Sequence, residues 1–137
     1  MVKVKPSFGS LKILIADDND INRFIIEKMM KNWDVNMTLT ADGRETIAKF
    51  SQEKFDLVLL DIEMPGMNGY ETARAIRKDI KNKDIPIIAM TGHMHTDEKE
   101  KCFISGMNDI MCKPFDQQTL RQMIEKWQPS YQQIVKK

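Results

Sequence analysis

Five short apolar runs, each followed by a segment with helical periodicity, leave this chain few folds to choose from. The first is Lys12-Ile13-Leu14-Ile15-Ala16, after which Ile21, Phe24, Ile25 and Met29 recur at helical spacing, with Trp33 one turn further on. Val35-Asn36-Met37-Thr38-Leu39 alternates apolar and polar, as an edge strand open to water on one face does. Asp42 with Glu45, and Asn68 with Glu71, read as capped helix starts. The first leads through Ile47, Ala48 and Phe50, the second through Ala73, Ile76 and Ile80. Between them stands the third run, Leu57-Val58-Leu59-Leu60, apolar on both faces. Pro86 opens the fourth, Ile87 to Met90, at the position where a strand tolerates proline. A polar helix from about Thr96 to Ser105 ends at Gly106, Ile110-Met111-Cys112 is the fifth run, and Leu120, Met123, Ile124 and Trp127 mark the last helix. Strict strand–helix alternation with short connections predicts an α/β fold, a parallel sheet covered by helices on both faces.

Composition agrees and removes several classes of function. A chain of 137 residues supports one domain with a core that needs no disulfide or metal staple. It is 42% hydrophobic and 30% charged, as a globular domain is, and no stretch approaches the roughly 20 apolar residues of a membrane span. The formal net charge of +1 argues for neither nucleic acid nor a membrane surface as partner. Residues 1–10 lack an apolar signal core and read as a flexible leader or linker; residues 11–128 form the domain, and 129–137 a C-terminal tail. Cys102 and Cys112 are not in a C-x-x-C arrangement and are expected to be reduced, core or half-buried thiols of a cytoplasmic protein. His93 and His95 have no further nitrogen or sulfur ligand with them and are expected to be exposed loop residues.

The ends of the apolar runs carry the chemistry. The first runs into Asp17 and Asp18, the third into Asp61, the fourth into Thr91 and the fifth into Lys113. In a parallel sheet all carboxyl ends lie on one edge, where ligands of open α/β sheets bind. Two carboxylates about 5 Å apart repel by roughly 3 kcal/mol at an effective dielectric near 20. Asp17, Asp18 and Asp61 therefore need either a proton or a cation among them. Hard oxygen donors on a partly open rim suit Mg²⁺, which keeps several waters and shares phosphate oxygens. Asp20 is the expected cap of the first helix, which leaves the acidic pair free for this work. Lys113 can balance the pocket and hold a phosphoryl oxygen as a point charge; a cis Lys113–Pro114 bond would aim it inward. Thr91 offers a hydroxyl to the same group.

The set "ADDND", "LLDIEMPGMNGYE", "IIAMTG" and "GMNDIMCKPF" resembles the receiver domain of two-component response regulators, in order and spacing, over roughly residues 10 to 128. The phrasing around Thr91 and Gly106 is most similar to receivers of hybrid sensor histidine kinases. The resemblance implies a flavodoxin-like (βα)5 fold with sheet order 2-1-3-4-5. It implies that Asp61 accepts a phosphoryl group from a phosphohistidine, on a histidine kinase or a histidine phosphotransfer domain. It further implies Mg²⁺ held by Asp18, Asp61 and the backbone carbonyl of Glu63, with Asp17 acting through water, and Lys113 and Thr91 on the phosphoryl oxygens. Such a domain assists its own phosphorylation and dephosphorylation but works as a switch for a downstream protein target. Thr91 would move towards the phosphoryl group and change a surface made of the fourth helix, fifth strand and fifth helix. The family's switching aromatic ring is replaced here by Ile110, whose β-branched side chain cannot swing as a ring does.

Two rivals use similar residues. A haloacid-dehalogenase-like phosphatase also has an aspartate nucleophile, but on its first strand in a D-x-D pattern, with the acidic pair late; here the pair comes first. A receiver-like interaction module that binds partners regardless of phosphorylation differs only in what Asp61 does.

Overall fold

In the computed structural model, residues 8–129 are described. Five strands, β1 (Leu11–Ala16), β2 (Val35–Thr40), β3 (Leu57–Asp61), β4 (Ile87–Thr91) and β5 (Asp109–Cys112), alternate with helices α1 (Asp20–Met30), α2 (Gly43–Gln52), α3 (Gly69–Arg77), α4 (Thr96–Ile104) and α5 (Gln117–Trp127). The strands form one parallel sheet in the order β2-β1-β3-β4-β5, the flavodoxin-like arrangement expected.

Period-two alternation sorts the strand residues between two cores. Ile13, Ile15, Leu57, Leu59, Ile88 and Met90 pack beneath Ile26 and Met30 of α1 and Leu120 and Ile124 of α5. Leu14, Ala16, Val58, Leu60, Ile87 and Ala89 face the opposite way, towards Ala73 and Ile76 of α3 and Cys102 of α4. All five residues of β3 are buried, which is why that run carries no alternation in the sequence.

Local chemistry sets the boundaries. Asn68 caps α3 in a full capping box with Glu71, and Asp42 caps α2 by accepting from the Glu45 amide. The cap of α1 is Asn19, whose side chain accepts from the Asn22 amide, not Asp20; Asp20 lies inside the first turn and pairs with Arg23. At the end of α4, Gly106 takes φ +101° while the amides of Gly106 and Met107 bond the carbonyls of Phe103 and Cys102, a Schellman motif. The third helix stops at Arg77, earlier than its apolar spacing suggested, and Ile80 opens a separate 3-10 turn through Asn82.

Three further expectations need revision. Trp33 lies beyond the end of α1, in the turn before β2, where it is buried. In α1 the inward stripe is Ile26 and Met30, and Ile21, Phe24 and Ile25 are exposed at 68%, 58% and 43%. The compact body begins before residue 11: Phe8 is buried, edge-on to Trp33 with ring centroids 6.1 Å apart, and the Arg121 guanidinium sits 4.6 Å from its ring. The rest of the expected leader, residues 1–7, and the tail from residue 130 on lie outside the described residues.

Candidate functional site at the carboxyl edge of the sheet

Sheet register builds the site. Ala16 pairs with Leu60, so the residues that follow them, Asp17 and Asp61, leave the sheet side by side; Thr91 pairs with Cys112, which puts Lys113 one step beyond. One carboxylate oxygen from each of Asp17, Asp18 and Asp61 lies within 4.8 Å of the others. Lys113 reaches in from the end of β5, its Nζ 2.9 Å from Asp17 Oδ2 and 3.2 Å from Asp61 Oδ2, and the Lys113–Pro114 bond is cis. Four side chains drawn from three strand ends thus come together at this edge.

Each group is held from a second direction. Asp17, fully buried, accepts the Asn19 amide on Oδ1 at 2.9 Å, so it also shapes the turn into α1. Asp61 accepts the Glu63 amide on Oδ1 at 3.1 Å, which fixes its carboxylate plane at both oxygens. Asp18 is exposed at the mouth of a cleft of about 740 Å³ that Asp61, Glu63, Asn22 and Lys113 also line. The Glu63 side chain turns outward, its Oε1 3.8 Å from His93 Nε2, so only its backbone remains near the acidic cluster.

The electrostatics are those of a pocket short of positive charge. Burial, with the neighbouring Asp17 carboxylate, pushes Asp61 up to about 6, although Lys113 pulls the other way. Burial draws Lys113 down, but Asp17 and Asp61 outweigh it and leave the ammonium raised. The donor set is all oxygen, open on one side and electrostatically unsatisfied, and it fits a hard divalent cation such as Mg²⁺.

Thr91 and Ile110 stand apart from this cluster. Thr91 is buried at the end of β4, but its hydroxyl is engaged by the following loop and by α4: Oγ1 lies 2.9 Å from the His93 carbonyl and 3.0 Å from Glu98 Oε2. Ile110 is buried in the core shared with Cys102 and Met107. His93 and His95 are exposed and stacked at 6.0 Å. The cysteines are free; Cys102 is buried, and burial first, then Glu98, pushes its thiol up to about 11, whereas Cys112 is exposed despite its apolar neighbours. Sequence reasoning missed Glu98, because nothing distinguishes it from Asp97 or Glu100 among the acidic residues of a polar helix.

Comparison with known proteins follows the same outline. The sequence model of the response regulator receiver domain matches residues 13–125. The sensor protein GacS of Pseudomonas syringae pv. syringae is 33% identical over 119 residues, which cover 85% of this chain and 13% of that protein, so the chain spans a small part of such a relative. The solved receiver domain of sensor histidine kinase PA1611 from Pseudomonas aeruginosa, with a magnesium ion in its active site cleft, superposes with a TM-score of 0.80 at 32% identity, covering 86% of this chain and 97% of that one. The receiver domain of Ssk1 from Saccharomyces cerevisiae, crystallised with the histidine phosphotransfer protein Ypd1, gives a TM-score of 0.82 at 26% identity, over 92% of each chain.

Proposed function

The chain belongs to the response regulator receiver domain family, and from that premise we propose that it takes a phosphoryl group from a phosphohistidine onto Asp61. The observation that carries the reading is the gathering of Asp17, Asp18 and Asp61 at the carboxyl edge of the sheet, with the Lys113 ammonium paired to Asp17 and Asp61.

Asp61 is the nucleophile: a carboxylate oxygen attacks phosphorus, the P–N bond of the donor breaks, and its electron pair returns to the imidazole, which picks up a proton from solvent. Phosphoryl transfer asks the protein for in-line positioning and for neutralisation of charge on the oxygens. The Glu63 amide and Lys113 hold the Asp61 carboxylate at both oxygens, which supplies the first. Lys113 supplies part of the second. Asp18 and Asp61, with the backbone carbonyl of Glu63 and with Asp17 acting through water, would hold a Mg²⁺ ion, whose charge would clamp the phosphoryl oxygens and offset the crowded carboxylates.

A surface for the donor lies beside the pocket. Ile21, Phe24 and Ile25 expose apolar area on α1, and Ile25, Met29 and Phe115 continue it as a shallow groove to Lys113. An exposed apolar patch rimming a polar site suits a protein partner that must present a histidine there, and a histidine kinase or histidine phosphotransfer domain is such a partner. The addition of about −1.5 to −2 charge at Asp61 then draws on Thr91 and alters the face formed by α4, β5 and α5, where a downstream protein binds. Two free cysteines suit the reducing cytoplasm, where this exchange would take place.

Incubation with acetyl phosphate and Mg²⁺, followed by intact mass, tests the reading. We expect the mass of one phosphoryl group to be gained by the protein and not by Asp61→Asn. No gain under any condition would favour the module that binds its partners without phosphorylation.

A further inference from the structure

Thr91 and Glu98 make a contact that phosphoryl transfer does not itself require. The Thr91 hydroxyl accepts the His93 amide at 3.1 Å and has one proton to give, with the His93 carbonyl at 2.9 Å and Glu98 Oε2 at 3.0 Å as acceptors. An ionised carboxylate is the stronger acceptor of the two. Glu98 is the third residue of α4, where the helix dipole favours negative charge, and His95, the residue before the helix, makes no side-chain cap. The first turn of α4 is therefore fastened to the end of β4 by a side chain of its own. The fifth strand offers no mobile ring to carry a signal, because Ile110 is buried and β-branched.

We propose that Glu98 is a positioning residue: a latch that keeps the Thr91 hydroxyl off the phosphoryl site in the unphosphorylated protein and hands the movement of Thr91 directly to α4. This rests on Asp61 as the phosphoacceptor. A phosphoryl group on Asp61 competes with Glu98 for the single Thr91 proton, and only one acceptor can hold it fully. Whatever Thr91 gives to the phosphoryl group is withdrawn from the start of α4. By the same linkage, removal of the Glu98 acceptor frees Thr91 for the phosphoryl group.

A double-mutant cycle in the metal-free, donor-free protein tests the latch, with hydrogen exchange of the α4 amides at residues 99–104 as the readout. Thr91→Ala and Glu98→Ala should each speed exchange by about tenfold (about 1.4 kcal/mol), and the double variant should go no further. Additive effects, or no effect of either change, would overturn the proposal. Glu98→Gln keeps an acceptor oxygen and should fall between; exchange equal to that of Glu98→Ala would assign the effect to helix-terminal charge and overturn it too. In a second arm with acetyl phosphate and Mg²⁺, Glu98→Ala should gain its phosphoryl group several-fold faster, and this advantage should vanish on the Thr91→Ala background. An advantage that persists there means simple charge repulsion and refutes the latch. Failure of every variant to be phosphorylated would count against Asp61 as acceptor while the metal-free cycle still reports on the latch.

Discussion

Asp61 enters the fold with its carboxyl group almost entirely covered and a second carboxylate, Asp17, beside it. With its pKa raised from 3.8 to about 6, the native protein holds a proton between about pH 4 and pH 6 that the unfolded chain has released. Stability from this group is therefore full below about pH 4 and is lost as pH rises towards 6. In metal-free protein at pH 7.5, Asp61→Asn should raise stability by about 2 kcal/mol, and the gain should fade at pH 4, as urea denaturation at the two pH values will read. Equal gains at both would mean that burial of charge is not the cause. Lys113→Met acts in the opposite sense. It leaves two carboxylates facing each other without their cation, and at pH 7.5 it should cost about 3 kcal/mol, less at pH 5 where Asp61 can take up a proton. At this scale the sequence was open to reading, because Asp17, Asp61, Thr91 and Lys113 each follow an apolar run and a parallel sheet has only one carboxyl edge. The partner of the Thr91 hydroxyl was not, since a strand end says nothing of which helix side chain folds back over it.

Elements are positioned around this edge by caps and close approaches. The loop from Ile62 to Asn68 must return to begin α3 against the strand it has just left, and Gly69 makes that possible: a Cβ there would stand 2.4 Å from the Asp61 carbonyl oxygen. Gly69→Ala should displace the backbone of Asp61, the proposed acceptor, and lower both stability and its phosphorylation. Asn68→Ala, which removes only the bond from the Glu71 amide to the Asn68 side chain, should cost about 1 kcal/mol and leave the phosphorylation rate within about twofold. Equal losses of rate in the two variants would show that the cap, rather than the close approach, holds the loop. The capping box at Asn68 was visible as a four-residue pattern, yet the choice between Asn19 and Asp20 was not, because the two residue types cap a helix about equally well. The inward face of α1 was misread for a related reason. Ile21, Phe24 and Ile25 form one apolar stripe at helical spacing, Ile26 and Met30 another, and the larger of the two is the one left in water.

Seen whole, the molecule divides its tasks between the layers. The sheet and its two cores are nearly fixed by the alternation of β2 and the unbroken apolar runs of β1 and β3, all plain in the sequence. The outer faces of the helices are set by what approaches from outside, and a single chain carries no record of that. For the apolar face of α1 the expectation is specific. Phe24→Ala together with Ile25→Ala should slow transfer from a phosphorylated histidine phosphotransfer domain by about tenfold and leave the rate with acetyl phosphate unchanged, because only a macromolecular donor covers that face. Equal slowing with both donors would place the effect in the pocket instead.

Phe8 packs against Trp33 and Arg121 just before β1 begins, and Trp127, at the close of α5, bonds Asp109 at the start of β5. The backbone therefore comes in and goes out at the rim farthest from Asp61. The two anchor points, Phe8 and Trp127, thus leave the carboxyl edge, with its acidic mouth, clear of both described ends.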